Sequence, residues 1–481
     1  MGYVGGVLGF NLACTAVGFC LLAPSLRGLR AVTIATYAGV ALLVGTGVVG
    51  VALCVAAPFG AHVGLVAFAV AAAVLAAAGL AAARFLPPLL RAHPVSAPPP
   101  SSPLADAVAT AAAAGILVVL ALAVVGGFRS SPWLDDTWYF WLPKGRALDT
   151  VGLDPQLWRP DPSLHMVFGN DYESPYFIRP DNPLWWSVVL NLVMRFVGAI
   201  DMRAVNGELA FLLVAFVGAT GRLLWGWVRP WLLFPGLLLL LSAPELLRQA
   251  QGGDADVPLA IYLALAVLAA LGWLAERSGF ALLLTFAFAA TAIQVKSEGL
   301  LELVLFLAIL SVLAWRAGRA LLPLWGTVLA AFAASVPWLV WRSKHDVSNV
   351  FSLRNALSPS YLRHHTALLH GGVRILGDHL TSVHEWSLLV PLAVVLGVIA
   401  AIRDRRLVWL APPAFLGFGY AFFVWISWAD PEGAFRLVAS AYRYVTPPIV
   451  LAAAFLPLLA ERIVSPRPNT TGDASASAAT K

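Results

Sequence analysis

The sequence predicts an all-α membrane protein, a polytopic bundle of transmembrane helices. Of its 481 residues, 60% are hydrophobic and only 12% are charged, whereas soluble domains carry about 25% charged residues. Apolar runs of about 20 residues, enough to span a bilayer, recur along the whole chain. These observations exclude a soluble domain with a single anchor. The net charge of +6 does not indicate nucleic-acid binding, because most basic residues flank the apolar runs.

About 13 spans follow from the hydropathy pattern. The three cysteines lie in the first apolar runs and form no disulfide or metal-binding pattern. The predicted spans are 4–23, 31–57, 63–83, 107–127, 204–224, 231–242, 257–275, 281–295, 300–315, 321–341, 387–402, 408–428 and 445–459.

The arginines predict the topology, because they cluster in every second connection. Short basic connections belong in the cytoplasm, and here they hold Arg27, Arg30, Arg84, Arg91, Arg229, Arg277, Arg316, Arg319, Arg403, Arg405, Arg406, Arg462 and Arg467. The alternate connections, which then lie outside, hold Asp135, Asp136, Asp254, Asp256, Lys296, Glu298, Asp430 and Glu432. The chain is therefore predicted to cross the cytoplasmic membrane many times, with its acidic residues on the extracytoplasmic face.

Composition divides the chain into four predicted parts. Residues 1–83 form an N-terminal transmembrane bundle with an accessory role, and the proline-rich stretch 84–106 is a cytoplasmic linker. The main transmembrane region covers 107–460. Residues 461–481 are rich in Ser, Ala, Thr and Pro and are predicted to be a disordered cytoplasmic tail.

Two outer loops are long enough to carry function. The loop at 128–203 contains two predicted surface helices, at 137–148 and at 183–197; the second is amphipathic or half-inserted. The loop at 342–386 holds Arg354, Arg363, Arg374 and six of the nine histidines. The spacing of these histidines matches no tight metal-ligand motif, so a solvated loop is favoured over a metal site.

An acidic and aromatic patch at 133–141 opens the first of these loops. Adjacent carboxylates at a bilayer surface, here Asp135 and Asp136, are costly unless they serve a function. Aromatic rings suit the same level because they tolerate a half-wet environment. The alternative is that one or both aspartates cap the helix that follows, since Asp is a good N-cap.

Further charged residues open later outer turns. Asp254 and Asp256 precede an apolar run, where they would also favour a helix start. Lys296 and Glu298 would contribute little as a surface ion pair. However, Glu302 continues the acidic stripe into the following span, which favours a functional role.

The order of these motifs resembles the GT-C class of membrane glycosyltransferases, and most closely its protein O-mannosyltransferase and aminoarabinose-transferase-like branch, which includes lipopolysaccharide-core sugar transferases. The resemblance covers about 107–459. It departs from the pattern in the three extra N-terminal spans and in an Asp where the second acid is often Glu. The matching motifs are Asp135-Asp136-Thr137-Trp138-Tyr139 with Lys144 and Arg146, Asn182-Pro183-Leu184-Trp185-Trp186, Asp254-Ala255-Asp256-Val257-Pro258-Leu259, Lys296-Ser297-Glu298-Gly299 and Arg443-Tyr444-Val445-Thr446-Pro447-Pro448.

The resemblance implies a GT-C-like enzyme that transfers a sugar from a polyprenyl-phosphate donor to an extracytoplasmic acceptor, which is a cell-envelope glycan, lipid or protein. Asp135 would be the general base and Asp136 would orient it. The substrate-binding residues would be Asp254, Asp256, Lys296, Glu298, Arg436, Arg443 and Tyr444, with the cations holding the phosphate. No cofactor is assigned, and a divalent cation is left open. The partners are the lipid-linked donor, membrane lipid and the acceptor, not nucleic acid.

Two other function classes remain. An O-antigen-ligase or polymerase-like glycan enzyme would use Arg and His residues in one large outer loop, as at 342–386. A lipid or glycan transporter would need polar residues near the middle of its spans, whereas here they cluster at the outer ends.

The topology can be tested with single cysteines in a cysteine-free background. We expect an impermeant maleimide to label positions 135 and 365 in intact cells but not position 405, because the basic connections stay in the cytoplasm. Labelling of position 405 without position 135 would reverse the orientation.

Overall fold

The computed structural model describes residues 2–85, 92, 102–134, 136–158, 182–315, 320–347, 353–430 and 433–465. Asp135 and most of the predicted linker and tail, at 86–91, 93–101 and 466–481, lie outside these ranges. So do the side chains of Tyr139, Phe140, Gln156, Leu157, Leu353 and residues 433–436. Within the described part, 83% of the structure is helical and no strand is present. The predicted all-α class is confirmed.

In the described ranges, five α-helices precede the loop at 128–203: α1 Gly2–Leu26, α2 Ala31–Ala35, α3 Ala38–Ala56, α4 Leu65–Phe85 and α5 Pro103–Gly127. Nine follow up to residue 315: α6 Leu142–Thr150, α7 Pro155–Trp158, α8 Trp185–Val197, α9 Arg203–Leu224, α10 Pro230–Leu241, α11 Pro244–Gln249, α12 Asp256–Glu276, α13 Gly279–Val295 and α14 Gly299–Trp315.

The C-terminal part adds α15 Leu322–Ala333, α16 Val336–Lys344, α17 Leu353–Ala356, α18 Pro359–His364, α19 Thr366–Thr381, α20 Val383–Trp386, α21 Leu389–Asp404, α22 Ala411–Ala429, α23 Gly433–Tyr444, α24 Thr446–Ala454 and α25 Leu456–Val464. Short 3₁₀ turns lie at Ala57–Phe59 and Leu407–Leu410, and a π-helix at Thr137–Trp141.

Eight helical segments in the described ranges are long and apolar enough to cross a membrane, or nine if the bent pair α15 and α16 forms one span. Four further apolar helices, α8, α10, α13 and α14, are shorter. A membrane protein is therefore supported, whereas the count of about 13 spans stays a prediction. Where they are described, the ends of the predicted linker and tail are helical: α5 begins at Pro103 and α25 continues to Val464. The division of the chain into a linker, a main region and a tail stays a prediction.

The first helices pack directly against the later ones. Glycines allow α1 and α3 to touch, because a Cβ at Gly18 or Gly45 would collide with the backbone of the other helix. Most of α3 is buried, and α3 also contacts α9 and α13. The N-terminal helices are thus continuous with the rest of the bundle, and their accessory role stays a prediction.

The predicted surface helix at 183–197 is an interior helix in the structure. α8 has ten buried residues and packs against α1, α3 and α6. Its polar residues Ser187, Asn191 and Arg195 lie on one face, and this face is covered: Asn191 Nδ2 donates to the carbonyl oxygen of Val63 at 2.8 Å, and Arg195 pairs with Asp149. The other predicted surface helix, at 137–148, is divided into the π-helix and α6, and α6 packs against α8.

A buried polar contact joins α1 to α9 inside the bundle. Asn11 donates from Nδ2 to Glu208 Oε2 at 2.6 Å and to the carbonyl oxygen of Val7 at 2.9 Å. Both Asn11 and Glu208 are buried. Because buried polar groups are costly without partners, this contact fixes how α1 sits against α9.

Replacing Asn11 with Ala should therefore destabilise the fold, since it leaves the Glu208 carboxyl without its amide donor. We expect a loss of about 1–3 kcal/mol, measured as a lower midpoint of thermal unfolding in detergent. Thr15→Ala is the matched control: Thr15 donates only to the carbonyl oxygen of Asn11 within α1. Equal midpoints for the two variants would show that the interhelical contact does not stabilise the fold.

Candidate functional site

Arg443, near the end of α23, is the centre of a buried charge cluster. Its Nε lies 2.7 Å from Asp256 Oδ2, its Nη1 lies 2.7 Å from Asp136 Oδ2, and its Nη2 contacts Asp254 Oδ2. Each nitrogen of the guanidinium thus faces a different carboxylate. Charge-assisted hydrogen bonds of this kind are about twice as strong as neutral ones.

Lys296 is the second cation of the cluster and lies between α13 and α14. Its Nζ is 2.7 Å from Asp256 Oδ1 and 3.9 Å from Glu298 Oε1. The same ammonium lies 5.7 Å from the ring centroid of Tyr444, within reach of a cation–π interaction. Asp256 therefore bridges the two cations, with one oxygen on each.

A glycine turn precedes the acidic pair Asp254 and Asp256, the second of which is the first residue of α12. The carbonyl oxygen of Gly252 accepts hydrogen bonds from the Leu134 amide at 3.3 Å and from Thr137 Oγ1 at 3.2 Å. Gly253 has φ +82°, a conformation that glycine adopts without strain. The turn therefore attaches the segment containing Asp136 to the segment containing Asp254.

Two tryptophans complete this attachment. Trp141 Nε1 donates to Asp254 Oδ1 at 2.9 Å, and Trp186 Nε1 donates to the carbonyl oxygen of Gly253 at 2.9 Å. Both indoles are buried, so their N–H groups need such acceptors. From the sequence, Trp141 was predicted to lie in the interfacial aromatic patch and Trp186 in one of the family-like motifs, but neither was predicted to bind a residue of the site. The sequence feature that could have indicated their contacts is that both lie in aromatic runs within or beside the predicted site motifs.

The simpler roles considered for these charges do not describe the geometry. Asp136 makes no capping hydrogen bond to the π-helix that follows it. Asp256 does lie in the first turn of α12, but both of its oxygens face cations. Lys296 and Asp256 are buried, so Lys296 is not part of a surface ion pair with Glu298.

Burial and crowding of like charge shift the titration of the cluster. Burial raises the pKa of Asp254 well above its usual range; Arg443 opposes this shift, and the charges of Asp256 and Asp136 add to it. Burial lowers the pKa of Lys296, but the attraction of Asp256 and Glu298 outweighs burial, so the net shift is upward. Lys296 is therefore a fixed cation, and Arg443 is the charge that opposes protonation of Asp254.

A narrow cleft with no room for a water molecule lies beside the cluster. Phe423 of α22 stacks on Tyr444 with ring centroids 5.2 Å apart and forms one wall. Glu302, which is buried, lines the cleft with an oxygen that has no hydrogen-bond partner in the described part of the chain. The acidic stripe predicted to continue into the membrane thus reaches the same cleft.

The structure brings together seven of the nine predicted site residues: Asp136, Asp254, Asp256, Lys296, Glu298, Arg443 and Tyr444. Asp135 and the side chain of Arg436 lie outside the described residues. Among the residues that are described, no group of three or more His, Cys, Asp or Glu side chains is placed to hold a metal ion.

Comparison with protein-family models, with curated proteins and with solved structures finds no match for this chain.

The role of Arg443 in holding the cluster can be tested by charge removal. Arg443→Gln should cost about 3–5 kcal/mol of stability, because buried carboxylates lose their main counter-ion. Adding Asp254→Asn should recover part of this loss, because it removes one of the carboxylates that Arg443→Gln leaves without a counter-ion. The measurement is the midpoint of thermal unfolding in detergent.

Arg406→Gln is the control for this test. Arg406 Nε lies 3.9 Å from Asp404 Oδ2 and its side chain is 65% exposed, so its loss should cost less than about 1 kcal/mol. A lower midpoint for the double variant than for Arg443→Gln alone would contradict the role of Asp254 as a charge that Arg443 balances.

Proposed function

We propose that this protein is an integral membrane glycosyltransferase of the GT-C type that uses a polyprenyl-phosphate-linked sugar. The observation that supports it best is the convergence of charged residues from four separate segments in one buried cluster at the ends of the helices. Buried ionic groups of this kind are costly and cluster at functional sites. The residues that converge are the ones that the motif order had singled out.

The reaction is a single displacement at the sugar. The oxygen of the acceptor hydroxyl attacks the anomeric carbon, and the bond between that carbon and the phosphate oxygen breaks. The proton of the hydroxyl passes to a carboxylate, and the lipid phosphate leaves with the bonding electron pair. One base and one displacement give inversion at the sugar, unlike the paired carboxylates of a retaining hydrolase.

We assign the base to Asp135, next in the chain to Asp136, whose carboxylate is held by Arg443. Asp136 orients this segment through that ion pair. Lys296 and Arg443 supply positive charge for the leaving phosphate, while Asp254, Asp256 and Glu298 hold the two cations in place. Tyr444 and the side chain of Arg436 complete the proposed substrate site.

An extracytoplasmic active site explains why the donor is lipid-linked. Nucleotide sugars stay in the cytosol, so a sugar used outside must cross the membrane on a carrier. The acceptor is a glycan, lipid or protein of the cell envelope. A polyprenyl phosphate supplies both the membrane anchor and a leaving group that cations can stabilise.

The test is an in vitro transfer assay with the purified protein and a panel of polyprenyl-phosphate sugars. We expect turnover with at least one donor and a loss of about 100- to 10,000-fold in Asp135→Asn, because Asn keeps the size of the side chain but not its basicity. Asn and Asp cap helices about equally, so a capping role would leave turnover unchanged.

Asp201→Asn is the matched control. Asp201 is not a member of the cluster, and its Oδ2 lies 2.6 Å from Nη2 of Arg203. Turnover of Asp201→Asn should therefore stay within about two-fold of wild type. Normal turnover in a well-folded Asp135→Asn would move the base to Asp136, Asp254 or Asp256. Absence of transfer by folded wild-type protein with every donor would argue against the proposed class.

A further inference from the structure

A second pocket lies in the outer loop at 342–386, apart from the charge cluster. It has a volume of about 420 Å³ and shares no lining residue with the cleft beside Arg443. Its lining consists of one arginine, one amide, three hydroxyls and two imidazoles, contributed by Arg354, Asn355, Ser358, Ser360, Tyr361, His364 and His365. None of these side chains is acidic, and the acidic charge that acts on the lining is that of Asp430, which adds to the effect of burial in raising the pKa of Tyr361.

Arg354 is the cation of this pocket. Among the residues that the structure describes, no carboxylate lies within ion-pair distance of its guanidinium. This contrasts with Arg443, whose three nitrogens are all occupied by carboxylates. A guanidinium with five donors in a fixed fork is well suited to phosphate oxygens.

The hydroxyl groups line the pocket next to this cation. Ser358 Oγ and Ser360 Oγ lie 3.0 Å apart at the start of α18. The hydroxyl of Tyr361 is buried and has no partner in the described part of the chain. A buried hydroxyl without a partner is costly, and a ligand oxygen would satisfy it.

In each of the two imidazoles, one ring nitrogen makes a hydrogen bond to the backbone. His364 Nδ1 lies 2.7 Å from the carbonyl oxygen of Ser360, and His365 Nδ1 lies 2.8 Å from that of Tyr361. A carbonyl can only accept, so Nδ1 carries the proton in each ring. The Nε2 atoms are then available to share a proton with a ligand oxygen.

The pocket lies beside one end of α22. Trp425 Nε1 donates to the carbonyl oxygen of Ala356 at 3.2 Å, and Trp428 Nε1 donates to that of Leu362 at 2.8 Å. These two bonds attach α17 and α18 to the last two turns of a membrane-spanning helix. Tryptophans at span ends occupy the headgroup level of a bilayer, where lipid phosphates also lie.

We propose that this pocket binds a phosphate group at the membrane surface, with Arg354 as the charged ligand and the hydroxyls of Ser358, Ser360 and Tyr361 as neutral ones. The inference concerns binding and does not depend on the transferase activity. The phosphate can come from a membrane lipid or from free phosphate, and the test separates these sources.

The test measures binding to the full-length protein in phosphatidylcholine nanodiscs. The probes are polyprenyl phosphate, neutral polyprenol, phosphatidylglycerol and inorganic phosphate. We expect polyprenyl phosphate or inorganic phosphate to bind at least about 10-fold more tightly than polyprenol, and Arg354→Gln to weaken that binding about 10-fold or more. His364→Gln and the double variant Ser358→Ala/Ser360→Ala should weaken it less.

Arg374→Gln is the matched control. Arg374 is an exposed arginine of α19 in the same loop and does not line the pocket, so its loss should leave the dissociation constants within about two-fold. If polyprenyl phosphate or phosphatidylglycerol binds tightly and inorganic phosphate does not, the ligand is a lipid phosphate. If inorganic phosphate binds equally tightly, the ligand is the free anion.

Two results would overturn the proposal. One is equal binding of polyprenyl phosphate by Arg354→Gln and Arg374→Gln, since a phosphate held at Lys296 and Arg443 would not respond to Arg354. The other is equal affinity of the wild-type protein for polyprenol, polyprenyl phosphate and inorganic phosphate. Neither result depends on sugar transfer, so failure of this proposal leaves the proposed activity untouched.

Discussion

The ion pairs of Arg443 are the constraint on which the end of the bundle near α12 depends. A buried cation and three carboxylates pay a large desolvation cost, which is offset only when each charge finds a well-placed partner. The guanidinium meets this condition because Asp136, Asp254 and Asp256 each take a different nitrogen. These carboxylates come from two distant segments, so the pairing fixes the loop after α5 against the turn before α12 and against α23.

The aromatic residues around the cluster help to stabilise its buried charges. Trp141 and Trp186 exclude water with their rings and use their N–H groups on Asp254 and on the carbonyl oxygen of Gly253. Phe423 stacks on Tyr444, which lies under the ammonium of Lys296. Because ionic interactions strengthen as water is excluded, these rings make the ion pairs stronger as well as burying them.

The sequence predicted the class of the fold and most members of the cluster. It did not predict the interior position of α8 or the ion pair between Lys296 and Asp256, for physical reasons. Hydropathy depends on local composition, so it identified the long apolar helices. It could not show that α8 is interior, because burial against other helices and burial in lipid select the same residues. It also placed Lys296 beside Glu298, its neighbour in the chain, whereas the closer partner is Asp256, 40 positions away. Such pairing depends on how α12 and α13 pack, which no local pattern encodes.

The geometry of Arg443 bears on how a substrate would reach the cluster in the proposed transferase. All three guanidinium nitrogens are occupied, so a lipid phosphate that approached Arg443 would have to displace a carboxylate. The side chain of Asp136 is 34% exposed, whereas those of Asp254 and Asp256 are 3% and 4% exposed. Releasing Asp136 therefore costs least, because its side chain is already partly exposed.

Asp136 immediately precedes the π-helix Thr137–Trp141, a rare element found mostly at functional sites. A phosphate at Arg443 would thus take the place of Asp136, so in the proposed transferase the ion pair orients Asp135 until the donor binds and releases it afterwards. Donor binding and placement of the proposed base would then be coupled through one ion pair.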